Sequence, residues 1–324
     1  MMWMTPAPYL KPWWRITCEA ARVTFGYGDD AIVCEGKSAA TLLPRLIPLL
    51  DGRHTLEAFV AELGPRTEPF VRKTLELFAS RGLLADGGPL GADVPSAMRE
   101  AVHFLAATQP RGGDMRADAG RLGGLRVATI GDSHVASETA RALSTSGATV
   151  QRSSWDAPAS QLAACDLVLI APAPDELPRL GAWNARALET QTTWLGVLPF
   201  DGRFAAVGPL YIPGETACYE CFRYRRAANV SYAAQWWAMQ DTPAGYPSPL
   251  PIEMMLAGLA SLAVLRWHLR RDPGLPGAFS ALEFNGEIGL GTHVVYRVPR
   301  CPACATVGRA APVLPWFEAP AWSA

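Results

Sequence analysis

Lysine is nearly missing from this chain. Lys11, Lys37 and Lys73 are the only three among 324 residues, so nothing after Lys73 supplies an ammonium. Charged residues of every kind amount to 18%, with a net charge of −1, and that balance gives no electrostatic case for holding nucleic acid. The opening MMWMTPAPYLKPWW is apolar but short and broken by prolines, and no basic stretch leads into it as in a secretory signal. The longest uncharged apolar run, 254–265, falls short of the roughly 20 residues that a bilayer demands, and Glu253 and Arg266 bracket it. It reads as a buried helix. These absences point to a cytoplasmic protein with no membrane or nucleic-acid partner, whose seven cysteines are reduced or bound to metal.

Four of those cysteines stand out by spacing. Cys218 and Cys221 lie in PGETACYECF, and Cys301 and Cys304 in VPRCPACA. A two-residue spacer lets both sulfurs of a knuckle face one ion, and four thiolates match a tetrahedral zinc site. A closed four-sulfur site has no position left for a substrate or an activated water, so this zinc is expected to be structural. A thioredoxin-like redox pair or two disulfides use the same letters; a redox motif needs no second CxxC, however, and no secretory signal favours oxidation. The knuckles are too far apart for a zinc ribbon, so the metal is expected to clip the loop after one strand to the end of the last. Cys18, Cys34 and Cys165 sit in strand-like apolar runs and read as small buried hydrophobes.

The length points to two or three domains. Residues 13–34 alternate as three short strands, WRITCEA, RVTFGY and AIVCEG, with a turn at Gly28-Asp29-Asp30. Helices are expected at 39–50, at 55–63 with Thr55 as N-cap, and at 68–81 before Gly82. On the third, Phe70, Thr74, Leu77 and Phe78 recur at helical spacing, with Val71 and Leu75 widening the stripe. Three strands followed by three helices form a small winged-helix arrangement, and its third helix offers DNA only Arg72, Lys73 and Arg81.

The meander, followed by SAATLLPRLIPLLDGRHTLEAFVAEL and FVRKTLELFASRGLLAD, resembles the PqqD-like recognition element of enzymes that modify ribosomally made peptides. In that family an extended leader peptide adds as a strand to the third strand and lies against the third helix. Backbone hydrogen bonds supply the affinity and side-chain pockets the specificity. The resemblance implies a receiving edge of Ile32, Val33, Cys34 and Glu35 and a groove lined by Val71, Leu75 and Phe78. Read from the residues alone, the same apolar positions serve equally well as core.

Residues 87–96 and 109–124 read as connections around a helix at 97–108. From Leu125 onward, apolar strand runs alternate with helices: LRVATIG, a helix at 133–146, ATVQRSS, LVLIAPAP, a helix near 184–190, TTWLGVLPF and RFAAVGPLYI. A parallel, doubly wound α/β sheet is expected. The first strand-to-helix turn, Gly131-Asp132-Ser133-His134, keeps only the first glycine of a nucleotide fingerprint, and His134 reads as a loop histidine. No acidic residue ends the second strand, Asp156 lying a few residues on. After the first knuckle, Trp236 and Trp237 face either the core or a partner. A helix at 252–269 and two closing strands, SALEFNG and THVVYRV, precede the second knuckle.

Taken in order over 122–304, CDLVLIAPAPDELPRLGAWNARAL, GVLPFDGRFAAVGPLYIPGETACYECF, a long helix and RVPRCPAC resemble the E1/ThiF-like superfamily. Its active members adenylate a carboxyl terminus with a glycine-rich loop, arginine, lysine and aspartate around ATP. This chain departs from them: the glycines are replaced, the domain has no lysine, and no further cysteine sits in an obvious acceptor loop. Arginines such as Arg141 leave nucleotide binding open, but ATP as a working cofactor is not expected, nor are catalytic residues.

With 1–88 as a PqqD-like leader-recognition element, 89–121 as a linker with one helix, 122–310 as an E1/ThiF-like zinc domain and 311–324 as a tail, the chain resembles the E1-like partner proteins of thiazole/oxazole-modified peptide biosynthesis, the Ocin-ThiF-like group. That resemblance implies a non-catalytic protein that binds the leader of a precursor peptide and presents the core to a separate YcaO-type cyclodehydratase. The partner would use ATP to form azoline rings. Pairing of E1-like domains through their sheets makes a homodimer a further implication. The enzyme-class alternative is a divergent ATP-dependent adenylating enzyme acting on a peptide or carrier-protein carboxylate.

Overall fold

The computed structural model describes residues 7–108, 113–240, 242, 245 and 247–305, so the expected tail at 311–324 lies outside the described residues. The chain divides into two compact units, 1–123 and 124–324.

The first unit carries β1 (Pro8–Leu10), β2 (Arg15–Cys18), β3 (Arg22–Tyr27), β4 (Asp30–Glu35), α1 (Lys37–Leu46), α2 (Leu56–Leu63), α3 (Glu68–Ser80), β5 (Leu84–Asp86), α4 (Ser96–Ala107) and α5 (Met115–Gly124). β2, β3 and β4 form the antiparallel meander that the alternation predicts, with Phe25 opposite Ile32 and Val23 opposite Cys34. Val23 and Phe25 turn inward, and the ring of Phe25 meets that of Phe78 edge-on at 4.8 Å. α2 begins at Thr55, whose hydroxyl accepts from the Ala58 amide and satisfies an orphan donor of the first turn.

Three details differ from expectation. α1 stops at Leu46 and passes into a 3-10 turn at Ile47–Leu49, because Pro48 has no N–H to continue the α-helical ladder. β1 and β5, each three residues long, pair as a second small sheet that periodicity is too short to reveal. The stretch 109–124, expected as a connection, contains α5: Asp114 Oδ1 accepts from the amides of Arg116 and Ala117, and Met115, Ala119 and Leu122 are buried. Glycines at 120, 123 and 124 mask that helix in the sequence.

The second unit carries β6 (Arg126–Ile130), α6 (His134–Thr145), β7 (Thr149–Arg152), α7 (Ala159–Ala163), β8 (Leu167–Ile170), α8 (Arg179–Glu189), β9 (Trp194–Leu198), β10 (Phe204–Tyr211), α9 (Tyr219–Ala227), α10 (Ala233–Met239), α11 (Leu250–Arg270), β11 (Ala278–Asn285) and β12 (Glu287–Val294). Seven strands form one sheet in the order β12-β11-β10-β9-β8-β6-β7. The strands β7, β6, β8 and β9 are parallel, with β8 and β9 buried along their whole length as a doubly covered sheet requires.

The sheet is mixed rather than parallel throughout, which corrects the expectation. Residues 199–203 between β9 and β10 are too few for the crossover of about a dozen that a parallel neighbour needs, so β10 turns back antiparallel. β11 and β12 follow as a hairpin joined by Gly286 alone, at φ +89°. The last strand therefore starts at Glu287 rather than near 292, its alternation having been diluted by Gly289 and Gly291.

α11 lies against α6, β9 and β10. By length and composition it is apolar enough to cross a membrane, but Leu256, Ala260 and Val264 are buried in this fold and it is read as a core helix. On the other face, Ile130, Ile170, Trp183, Trp194, Tyr211 and Phe222 share one cluster with the four knuckle cysteines.

The turn after β6 has one obligatory glycine. Gly131 sits at φ +115°, and a Cβ there would be driven into the backbone carbonyl of Ala171. Gly131→Ala should therefore lower stability by about 2–4 kcal/mol in urea denaturation. An unchanged midpoint would contradict this close approach.

Candidate metal centre and binding surfaces

The loop after β10 is folded by Thr216, whose hydroxyl accepts from the Ile212 amide at 2.9 Å, and it delivers Cys218 to the N-cap of α9. One turn into α9 comes Cys221. The second knuckle follows β12, and Arg297 fastens the two together by donating to Gly214 O at 3.0 Å and Cys304 O at 2.9 Å. All four sulfurs are buried and lie within 4.8 Å of one another. Cys218 is 3.8 Å from Cys221 and 3.7 Å from Cys301, and Cys221 is 3.5 Å from Cys304.

These separations choose among the three readings of the cysteines. Sulfurs about 2.3 Å from one tetrahedral zinc stand about 3.8 Å apart. A disulfide would bring them to about 2.05 Å. The cluster therefore fits a metal ion and is compatible with zinc. Electrostatics agree. Hydrogen bonds with Cys221 and Cys304 push the Cys218 thiol up, while hydrogen bonds from Cys218 and Cys221 pull Cys304 down to about 3. Four thiolates in this space would need a cation. The Val298 amide also donates to Cys221 Sγ at 3.3 Å, orienting that sulfur inward.

The loop expected to be a degenerate nucleotide site is brought together by β6 and α6. Ser133 caps α6 by accepting from the Ala136 amide and donates to Ala171 O at 2.7 Å, while His134 is exposed. Sequence reasoning missed the residues that fill this loop. Glu176, from the turn after β8, accepts from the Asp132 amide at 2.9 Å, from the Ala173 amide at 2.9 Å and from the Trp155 indole at 2.7 Å. Burial opposes its charge, but those three hydrogen bonds and the Arg179 guanidinium outweigh it and hold the carboxyl below its usual range.

On the other side of the loop Arg152, the last residue of β7, donates to Gly131 O at 3.2 Å and Ser137 Oγ at 3.0 Å and pairs with Asp132. A carboxylate of the chain thus takes a loop amide that a phosphate would use, and an arginine ends the strand where a ribose-binding acid would stand. Arg141 is paired with Glu138 on α6, and Asp156 with Arg179. The run PAPDELP held the signal for Glu176, but nothing local tells that its carboxylate reaches back over 44 positions.

In the first unit the order β2-β3-β4 leaves β4 at a sheet edge, paired with β3 alone among the described residues. Val33 and Glu35 are exposed there, while Ile32 and Cys34 are half-buried against the core. Burial raises the Cys34 thiol, which stays protonated at neutral pH. Of the three residues assigned to the groove on α3, Val71 and Phe78 are fully enclosed in the core and only Leu75 keeps some exposed surface. Cys18, expected inside, is exposed at the end of β2. Trp236 is buried, and Trp237 packs on it edge-on at 5.2 Å beneath the Arg223 guanidinium.

No family model matches the sequence, and no curated protein matches it. Solved structures do. The heterocyclase TruD superposes with a TM-score of 0.68 at 23% identity, covering 92% of this chain and 42% of that one. A heterocyclase in complex with substrate and cofactor gives 0.64 at 22%, covering 92% and 39%. MccB of E. coli with ATP gives 0.62 at 14%, covering 92% and 99%. The likeness is one of fold. This chain spans less than half the length of the heterocyclases and nearly all of MccB.

Purified with zinc, the protein should carry one equivalent per chain by plasma emission. Cys301→Ser should lose the metal and lower the melting temperature by about 10 °C or more, since ligand binding energy is folding energy. Unchanged metal content and melting temperature would remove the zinc assignment.

The Glu176 loop predicts a pH response. Its folded value lies below the unfolded one of about 4.3, so its stabilisation is complete above that pH and is lost as pH falls through the folded value. Glu176→Gln should flatten the acid limb of a stability profile measured between pH 6 and pH 3. A limb as steep as that of the parent chain would show that Glu176 does not titrate this way.

Proposed function

We propose that this chain is a non-catalytic, leader-binding protein in the maturation of a ribosomally made peptide, of the E1-like Ocin-ThiF-like kind. It would hold the leader of a precursor on a PqqD-like element within 1–88 and present the core to a separate YcaO-type cyclodehydratase. The observation that carries the non-catalytic half is Glu176. A nucleotide entering the loop after β6 would have to displace a carboxylate held by three hydrogen bonds, and then meet that carboxylate with its own phosphates. With no lysine beyond Lys73, the second unit offers no ammonium to offset that repulsion, and the guanidiniums beside the loop, Arg152 and Arg179, are paired with Asp132 and Asp156.

The leader-binding half is supported by the free edge of β4 in a short meander, where Val33 is half exposed, and by the fold shared with proteins solved with peptides or substrates. MccB, of the same fold, is described in complex with N-formylated MccA. A leader adding to β4 would gain main-chain hydrogen bonds from strand pairing and side-chain contacts with Ile32, Cys34 and Leu75. The contribution to chemistry is proximity: tethering raises the effective concentration of the core at the partner's active site. Zinc in the cysteine cluster holds the E1-like unit together and takes no part in the reaction.

A divergent adenylating enzyme is the second reading, favoured by the fold shared with MccB bound to ATP. The two separate by experiment. The full chain should bind a fluorescein-labelled leader, taken from a neighbouring precursor gene, without ATP, and Val33→Asp should weaken that binding at least tenfold, about 1.4 kcal/mol. Exchange of labelled pyrophosphate into ATP by the isolated protein would establish the adenylating reading instead.

A further inference from the structure

At the carboxyl end of β9 the second unit opens into a cavity of about 780 Å³. Its walls are the turn between β9 and β10, the helices α9 and α10, and one face of β11 and β12. Pockets of this size hold a cofactor or several residues of a polypeptide. Carboxyl ends of strands are where open α/β sheets bind their ligands. The two features already described, the cysteine cluster and the Glu176 loop, leave this space unassigned.

The lining selects among occupants. Phe204 and Phe279 stack at 6.1 Å as an apolar floor, with the buried rings of Tyr219 and Trp236 beside them. Two guanidiniums on α9 are already engaged. Arg226 pairs with Asp201 at 2.5 Å and lies over Phe204 and Trp236, while Arg223 pairs with Glu220 at 2.8 Å and lies over Trp237. Asp201, Glu283 and Arg203 also face the cavity, so its lining is mixed in sign and favours no one charge.

Among the described lining residues there is no serine, cysteine or lysine, while Thr242 brings a hydroxyl and Asp201, Glu283 and His293 bring carboxylates and an imidazole. What remains at the walls is a mixture of donors and acceptors: Asn229, Tyr232, Gln240, Glu283 and His293, the last stacked on Phe279. Such a mixture matches a polypeptide main chain, which offers N–H and C=O groups in alternation. The aromatic floor, partly covered by Arg226 and His293, offers its remaining apolar surface to a side chain.

We propose that this cavity is a second polypeptide seat, taking an extended uncharged segment that lays one large apolar side chain on the Phe204–Phe279 floor. Resting on the function proposed above, the occupant is the part of the precursor that follows the leader. A seat lined by no serine, cysteine or lysine suits a segment that is positioned for another enzyme and released unaltered. One wall belongs to the metal knuckle itself: Tyr219 stands between Cys218 and Cys221, and its amide donates to Asn184 Oδ1 at 2.9 Å. A cation gathering the cysteines would therefore also set the shape of the seat.

The test uses the zinc-loaded full chain and two fluorescein-labelled synthetic peptides from one neighbouring precursor gene, the leader alone and the segment after it. Tyr232→Ala and Glu283→Arg alter walls of the cavity at side chains that keep solvent exposure, and melting temperatures report whether each variant folds. The downstream peptide should bind the parent chain and weaken at least tenfold in either variant, with leader affinity within about twofold of the parent. Leader binding with no downstream binding overturns the seat, as does downstream affinity unchanged in both folded variants. Displacement of the downstream peptide by ADP or pyrophosphate overturns it in favour of a nucleotide site. Variant-sensitive downstream binding without leader binding keeps the seat and removes the leader-binding reading, and binding of neither peptide removes both.

Discussion

Four thiols cannot be packed into the interior of a protein within 4.8 Å of one another and all be ionised unless a cation neutralises them. Much of the second unit hangs on that constraint. The first pair ends the loop after β10 and begins α9; the second pair ends the chain segment after β12. Between them lie α9, α10, α11 and the β11–β12 hairpin, so an ion held there would fix the return of the chain over almost the whole antiparallel half of the sheet. Arg297 spans the same junction with two hydrogen bonds to backbone carbonyls, which keeps the two loops apposed.

The parallel half is organised by a different device. In an open α/β sheet the turn after the first strand is a site of positive potential, made by amides at the start of a helix. Here that potential is met from within. Glu176 reaches across from the turn after β8, Trp155 orients it, and Arg179 lies over the Trp155 ring at 5.2 Å while pairing with Asp156. Arg152 closes the other side. The loop has become a small internal ion network joining three crossovers, and the same backbone shape that suits an anionic ligand now suits a structural carboxylate.

The sequence made legible what depends on short-range pattern. The meander at 15–35, the Thr55 cap, the strands β6, β8 and β9 and the paired CxxC knuckles all carry their signal within a few residues. Geometry between distant segments did not. The reversal at β10 depends on how few residues separate it from β9, a count that only matters once both strands are placed. α5 was hidden by three glycines, although Asp114 marked its start. Val71 and Phe78 show the limit most plainly, because helical spacing says that they share a face and cannot say whether that face meets a groove or the core. Glu176 and Arg152 were invisible as site residues, since each acts on a loop more than twenty positions from itself.

Separation along the chain gives the metal centre a temporal meaning. Cys218 and Cys301 are 83 positions apart, and both strands of the last hairpin lie between them. A growing polypeptide exposes its first pair of sulfurs long before the second has been made, and two sulfurs alone leave half of a tetrahedron open. Full coordination becomes available only after the hairpin has been synthesised and laid against β10. Capture of an ion there would thus be a late event, one that marks the sheet as finished.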